Sequence, residues 1–167
     1  RYTGKSPVLH GYSDSNWAGD KQDRTSLGGY VFFFNGGPIT WGTKKQTTVA
    51  LSSDEAEFMA LSHATQDALF LRGLLAELGH PQREPTIIWV DNTAAEAIAK
   101  DPTFHRRVKH VAIRFFFCRS HVANGDVAFH HIDTTRNVSD GFTKSLPVKP
   151  FQKFQSDLFD GVRTPYD

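Results

Sequence analysis

Apolar residues at Phe58, Leu61, Ala64, Ala68, Leu71, Leu75 and Leu78 recur at steps of three and four, which gathers them into one stripe on a helix. A stripe that long must be buried, and a sheet is the surface that suits it. Both ends of the helix carry signals. Ser52 and Glu55 have capping-box spacing at its start, and Gly79 with Pro81 stops it, so Glu57 falls in its opening turns.

The segments on either side of this helix predict its sheet. Before it, strand-like runs cover about Val8 to Asp14, Gly29 to Phe34 and Ile39 to Gln46, the last two joined by the hairpin signal Asn35-Gly36-Gly37. After it, the β-branched run Thr86 to Asp91 reads as a strand, and Asn92 can cap a helix over Thr93 to Lys100. A second helical stretch from about Lys109 to Ala123 leads through Asn124-Gly125 to a strand over Val127 to Ile132, then to a final helix near Asn137. Phe151, Phe154 and Leu158 have helical spacing, so the tail reads as a short packed helix. Three antiparallel strands followed by strand-helix alternation predict an α/β fold: a five-stranded mixed sheet with helices on both faces. The 167 residues fit one domain, with a motif-bearing core over about 8–146 and a helical tail over 147–167.

Four acids stand at the edges of these elements. Asp14 ends the first strand, Glu57 opens the long helix, Asp91 ends the strand Thr86-Ile87-Ile88-Trp89-Val90, and Asp140 opens the stretch after Ser139. A fold that gathers them confronts their mutual repulsion, which is relieved either by proton uptake or by divalent cations. The pattern points to metal-dependent phosphodiester chemistry.

Composition sets limits on the alternatives. A formal net charge of +1 does not mark the whole chain as a nucleic-acid binder. The cations are clustered, however: Lys100, Arg106, Arg107, Lys109, Arg114 and Arg119 share a stretch whose only acid is Asp101, and Lys44 with Lys45 adds a second basic point. Cys118 is the only cysteine, which excludes an intrachain disulfide or a cysteine zinc site and suits a small buried group in a reducing compartment. No signal peptide and no apolar run long enough to cross a bilayer is present, so no membrane partner is expected. The chain opens at Arg1, as a segment of a longer polyprotein would.

The motifs Tyr12-Ser13-Asp14-Ser15-Asn16-Trp17, Ser26-Leu27-Gly28-Gly29-Tyr30-Val31-Phe32, Trp41-Gly42-Thr43-Lys44-Lys45-Gln46, Leu51-Ser52-Ser53-Asp54-Glu55-Ala56-Glu57, Trp89-Val90-Asp91-Asn92 and Phe104-His105-Arg106-Arg107-Val108-Lys109-His110 follow one another in this order. Together they resemble the ribonuclease H domain at the C-terminal end of the polyprotein of copia-type long-terminal-repeat retrotransposons. The resemblance runs from about Leu9 to Leu146. It implies a ribonuclease H-like fold and an endonuclease that hydrolyses the RNA strand of an RNA/DNA hybrid during reverse transcription. Asp14, Glu57, Asp91 and Asp140 would hold two Mg2+ ions, with Mn2+ able to substitute. Ser52, Ser53 and Asn92 would contact the groove or phosphates besides capping their helices, and Lys44, Lys45, Gln46, Arg106, Arg107 and Lys109 would contact the backbone. The reverse transcriptase portion of the same polyprotein would be a partner. The setting would be intracellular, in a cytoplasmic virus-like particle or the nucleus.

Some positions depart from the family pattern. Asn16 stands where many relatives carry an acid, and Phe115-Phe116-Phe117 replaces a more polar Tyr-His-Phe stretch. Cellular ribonucleases H carry a histidine in the loop before the last acid, whereas Asp133-Thr134-Thr135-Arg136-Asn137 contains none, and His130 and His131 read as strand residues. Two other readings share parts of the pattern. An integrase or transposase core orders its acids Asp, Asp, Glu, unlike the Asp, Glu, Asp, Asp found here. A decayed nucleic-acid-binding or structural module would need no intact carboxylate set.

Overall fold

A computed structural model describes residues 7–20, 22–47, 49–50, 52–91 and 109–160, with the side chains of 109–111 and 160 outside the description. The helix expected over Thr93 to Lys100 falls outside these residues, as do Asn92, Arg106 and Arg107 and the Lys109 side chain.

The elements follow the expected order. Strands β1 (His10–Asn16), β2 (Leu27–Phe34) and β3 (Gly37–Lys45) precede the 25-residue helix α1 (Ser53–Glu77). Then come β4 (Thr86–Val90), α2 (Lys109–Ala123), β5 (Val127–His131), a 3-10 turn (Thr134–Arg136), α3 (Asp140–Thr143) and α4 (Val148–Asp160). The five strands form one sheet in the order β3-β2-β1-β4-β5, antiparallel across β1, β2 and β3 and parallel from β1 to β4 to β5.

Strand alternation divides the sheet residues between two cores. Leu9, Phe32, Phe34, Ile88, Val90 and Val127 pack under α1 and α2 with Phe58, Leu61, Leu71, Leu75, Phe115 and Cys118. On the opposite face Tyr12, Val31, Phe33 and Trp89 pack with Val138, Phe142, Phe154 and Leu158 from α3, α4 and the turn before α3. Helices therefore cover both faces. Truncating one of the central rings, Phe58→Ala, would cost about 3–5 kcal/mol because a cavity adds to the lost transfer energy.

Several boundaries differ from the sequence reading for local reasons. The hairpin loop is only Asn35-Gly36, both at positive φ (55° and 78°), the conformation of a type I′ turn, so Gly37 already pairs with Phe34. Leu78 continues the helical spacing but is 64% exposed, because the helix has ended. Gly79, at φ 85°, lets the chain reverse: its amide bonds Ala76 O and that of His80 bonds Leu75 O, a Schellman closure. The expected final helix near Asn137 is replaced by the 3-10 turn, which Asp133 caps through Thr135 N at 2.8 Å, and by the short α3. In α4, Phe154 and Leu158 reach the second core while Phe151 is 46% exposed.

Candidate metal and nucleic-acid site

The parallel register of β1 and β4 is what brings the first two acids together. Tyr12 lies opposite Trp89, and two residues further along each strand are Asp14 and Asp91. A two-residue step keeps both side chains on one face, the face α3 covers. Glu57 arrives from α1, where its Oε1 accepts from Ser15 N at 3.2 Å and from Ser15 Oγ at 2.8 Å. One carboxylate oxygen from each of Asp14, Glu57 and Asp91 lies within 4.8 Å of the others.

This crowding shows in the protonation equilibria. Burial, followed by the charges of Asp140 and Asp91, raises the Asp14 carboxyl from 3.8 to about 6, even though the Thr143 hydroxyl donates to it and Lys144 lies near. Burial and the neighbouring Asp14 and Asp91 raise Glu57 further, to about 8, against the opposing hydrogen bonds from Ser15. Three oxygens in one small volume, two of them on groups that resist ionisation, are a donor set that suits a hard divalent cation. The residues present fit the expected metal.

Asp140 stands on the flank of this group rather than within it. Its Oδ1 lies 2.7 Å from Lys144 Nζ, one helical turn away, and its charge is among those that raise Asp14. Burial would lower the Lys144 ammonium, but the bond to Asp140 and the charges of Asp140, Asp14 and Asp91 outweigh it and raise the pKa. Ser139 precedes α3 without capping it: its hydroxyl turns to Asn137 Oδ1 at 2.5 Å.

Helix α3 is fixed to the sheet by polar bonds around a close contact. Asn137 Nδ2 donates to Ser13 O (3.1 Å), Asn16 Nδ2 to Thr143 O (3.3 Å) and Thr43 Oγ1 to Phe142 O (2.7 Å). At Gly29, the β2 partner of Asp14, a Cβ would meet Thr143 Cγ2 at 2.7 Å and Phe142 Cβ at 2.9 Å, so only glycine lets α3 seat there. Ser15, Thr143 and Lys144 thus belong to the site, although sequence reasoning missed them. Their only signal was adjacency to Asp14 and Asp140.

The expected nucleic-acid contacts are placed unequally. Ser52 caps α1, accepting from Glu55 N at 3.2 Å, and both it and Ser53 are exposed at the helix N-terminus, open to an anion. Lys44 is exposed, whereas Lys45 is held between Asp20 (2.7 Å) and Asp23 (2.8 Å), which reduces the charge it can offer a phosphate. Gln46 does not fit the expected backbone contact: it is 3% exposed, and its amide donates to Ala56 O at 2.8 Å to tie β3 to α1. Asn16 serves α3 instead of the cluster. Phe115 is core, His130 packs edge-on to Trp89, and His131 is exposed. Among the described residues no helix is long and apolar enough to cross a membrane.

A ribonuclease H fold with three converging acids defines the class, and comparison with known structures agrees. The ribonuclease H1 of the halophilic archaeon Halobacterium salinarum matches 81% of this chain and 94% of its own at TM-score 0.56 and 17% identity. The compost-derived LC11 ribonuclease H1, solved in complex with an RNA/DNA hybrid, matches 81% of this chain and 93% of its own at TM-score 0.57 and 13% identity. In sequence, the chain is a homologue of retrovirus-related Pol polyproteins from copia-type transposons. It is 38% identical over 155 residues to that of transposon RE1 of Arabidopsis thaliana and 36% over 151 residues to that of TNT 1-94 of Nicotiana tabacum. These alignments cover 93% and 90% of the chain but only 11% of each polyprotein. No family model matches the chain.

Proposed function

We propose that this domain is a metal-dependent endonuclease that hydrolyses the RNA strand of RNA/DNA hybrids, leaving 3′-hydroxyl and 5′-phosphate ends, as part of a retrotransposon's reverse transcription. The observation that carries the reading is the convergence of Asp14, Glu57 and Asp91 at one end of a ribonuclease H sheet. Two Mg2+ ions, or Mn2+, bound there would lower the pKa of the attacking water and stabilise the leaving 3′ oxygen. The chain's own residues supply the geometry. Asp14 and Asp91 are set by strand register, Glu57 is oriented by Ser15, and Asp140 adds charge from α3 with Lys144 as its counter-ion.

Discrimination of the RNA strand requires contacts to the 2′-hydroxyl and the A-like groove. Ser52 and Ser53 at the α1 N-terminus and Asn92 beyond Asp91 are assigned that work, and the basic residues Lys44, Arg106, Arg107 and Lys109 contact the backbone. The reverse transcriptase portion of the polyprotein is the natural partner, in a cytoplasmic virus-like particle or the nucleus. The test is incubation of the domain with an end-labelled hybrid, with and without Mg2+ or Mn2+. Metal-dependent cutting of the RNA strand alone is expected, and comparable cutting of duplex DNA would refute the assignment.

A further inference from the structure

Helix α1 carries a second apolar row that the sheet does not use. Phe70, Leu74 and Leu78 follow one another at steps of four, turned away from the core, and are 69%, 40% and 64% exposed. A single exposed leucine needs no explanation, but three large side chains in a row make a continuous ridge, and such patches mark places where something docks. Ridges at steps of four are the ones that pack into the grooves of another helix. Among the described residues nothing covers this one.

Gly73 lies beside the ridge. It stands in the interior of a 25-residue helix, where glycine is the least favourable residue after proline. The fold itself has no need of it. Its φ is not positive, and a Cβ there would meet nothing within 4 Å outside its own helix backbone, unlike Gly29 and Gly141, which neighbouring side chains crowd. Gly73 is one turn on from Phe70 and one turn before Glu77, so a gap without a side chain opens next to the apolar row. Another helix could cross closely there.

The chain itself enters beside this ridge. Gln82 Oε1 accepts from Leu9 N at 2.8 Å, and its amide nitrogen donates both to Pro7 O (3.2 Å) and to His80 O (3.0 Å). Pro7 and His80 thus share one donor, and His80 is two residues beyond Leu78. Arg72 fixes the same loop from α1, donating to Gln82 O at 2.9 Å, Glu84 O at 2.8 Å and Thr86 Oγ1 at 3.0 Å. Whatever precedes Pro7 is therefore delivered at a set point by the C-terminal end of α1. Helix α4, by contrast, lies across the sheet, with Phe154 and Leu158 in the second core, so a segment that follows it starts from the far face. The polyprotein relatives extend well beyond a domain of this size, which spans 11% of each.

We propose that the ridge Phe70, Leu74 and Leu78, with the gap at Gly73, is the surface on which the polyprotein portion preceding residue 7 docks, through the apolar side of a helix. The inference rests on the proposed partnership with the rest of the polyprotein. It is independent of the nuclease chemistry, since Leu74 lies about 25 Å along α1 from Glu57.

The test uses the longer protein, this chain continuous with the polyprotein portion that precedes it. Leu78→Cys and, as a control on α4, Val148→Cys (73% exposed) are labelled with a maleimide and read peptide by peptide by mass spectrometry, while Cys118 is buried. The thiol of Leu78→Cys is expected to react about tenfold more slowly than that of Val148→Cys. Adding Gly73→Leu, which fills the gap, is expected to bring the two rates together with no loss in Tm, because leucine is the better helix former and meets nothing there. Equal rates with Gly73 intact overturn the docking surface. Slow labelling that Gly73→Leu leaves in place overturns the helix crossing and the proposal with it. Protection that appears only at concentrations where the protein sediments as a dimer gives the ridge to a second copy, which also overturns the assignment. Hybrid cleavage is assayed on the same samples. Protection at Leu78→Cys in a protein that cuts no hybrid overturns the nuclease reading and leaves this surface standing, and cleavage with equal labelling rates does the reverse.

Discussion

Glu57→Gln removes the charge that this fold tolerates least, and its effect can be worked out in advance. The Glu57 carboxyl is raised from 4.5 to about 8, first by burial and then by Asp14 and Asp91. The folded-state value lies above the unfolded one. The native protein therefore keeps a proton that the unfolded chain gives up, and stability is lost as pH rises from about 4.5 towards 8. Linkage between those two values gives a loss of about 3 kcal/mol at pH 7 for the metal-free protein. Glutamine carries no such penalty, and its Oε1 can still accept from Ser15 N and Oγ. In EDTA at pH 7 the variant is expected to be more stable than the parent, with Tm higher by about 6–12 °C, and the difference should vanish near pH 4.5. Adding Mg2+ should stabilise the parent by mass action and the variant much less, while the variant loses hybrid cleavage. Scanning calorimetry from pH 4.5 to 8.5, with and without EDTA, checks each part. A parent Tm that stays level across that range, or a variant Tm below the parent's at pH 7, would refute the account of an uncompensated acid cluster.

Further outcomes are expected elsewhere in the site. Asp91→Asn should abolish cleavage while leaving metal-free Tm level or higher; a large fall in Tm would mark the residue as structural. Lys144→Ala removes the cation that faces Asp140, so metal-free Tm at pH 7 should fall and the gain in Tm on adding Mg2+ should grow, both read in one melting series. Replacing Arg106, Arg107 and Lys109 together by Ala should weaken hybrid binding several-fold and lower the salt slope by about one unit per lost contact, with little change in Tm; an unchanged slope would show a merely solvated segment.

The acids themselves were legible because each one ends or opens an element with a strong local signal. Asp14 and Asp91 close strand-like runs, and Glu57 follows the Ser52 cap with which α1 begins. Periodicity alone could not reveal where the neighbours go. Lys45 looked like half of a basic pair, but a turn folds Asp20 and Asp23 back onto it. Gln46 looked like a polar strand end, but the packing of β3 against α1 buries it. Leu78 kept the spacing of a core residue one position after the helix had stopped. Ser15 and Thr143 acquire their roles only when β1, α1 and α3 meet, a fact of tertiary structure that no window of sequence contains, whereas Lys144 meets Asp140 across one helical turn.

Asp140 is carried on the four-residue α3, an element too short to hold its own shape and kept in place by the bonds of Asn137, Asn16 and Thr43 and by the seat at Gly29. The sheet and α1 have their own core on the opposite face. A local opening that lifts residues 137–144 would therefore carry away the fourth carboxylate and its lysine together, while Asp14, Glu57 and Asp91 remained on the intact sheet and α1. Amide hydrogen exchange should show it: the α3 amides exchanging through a low-energy opening, those of β1 and β4 only on global unfolding, and added Mg2+ slowing the former.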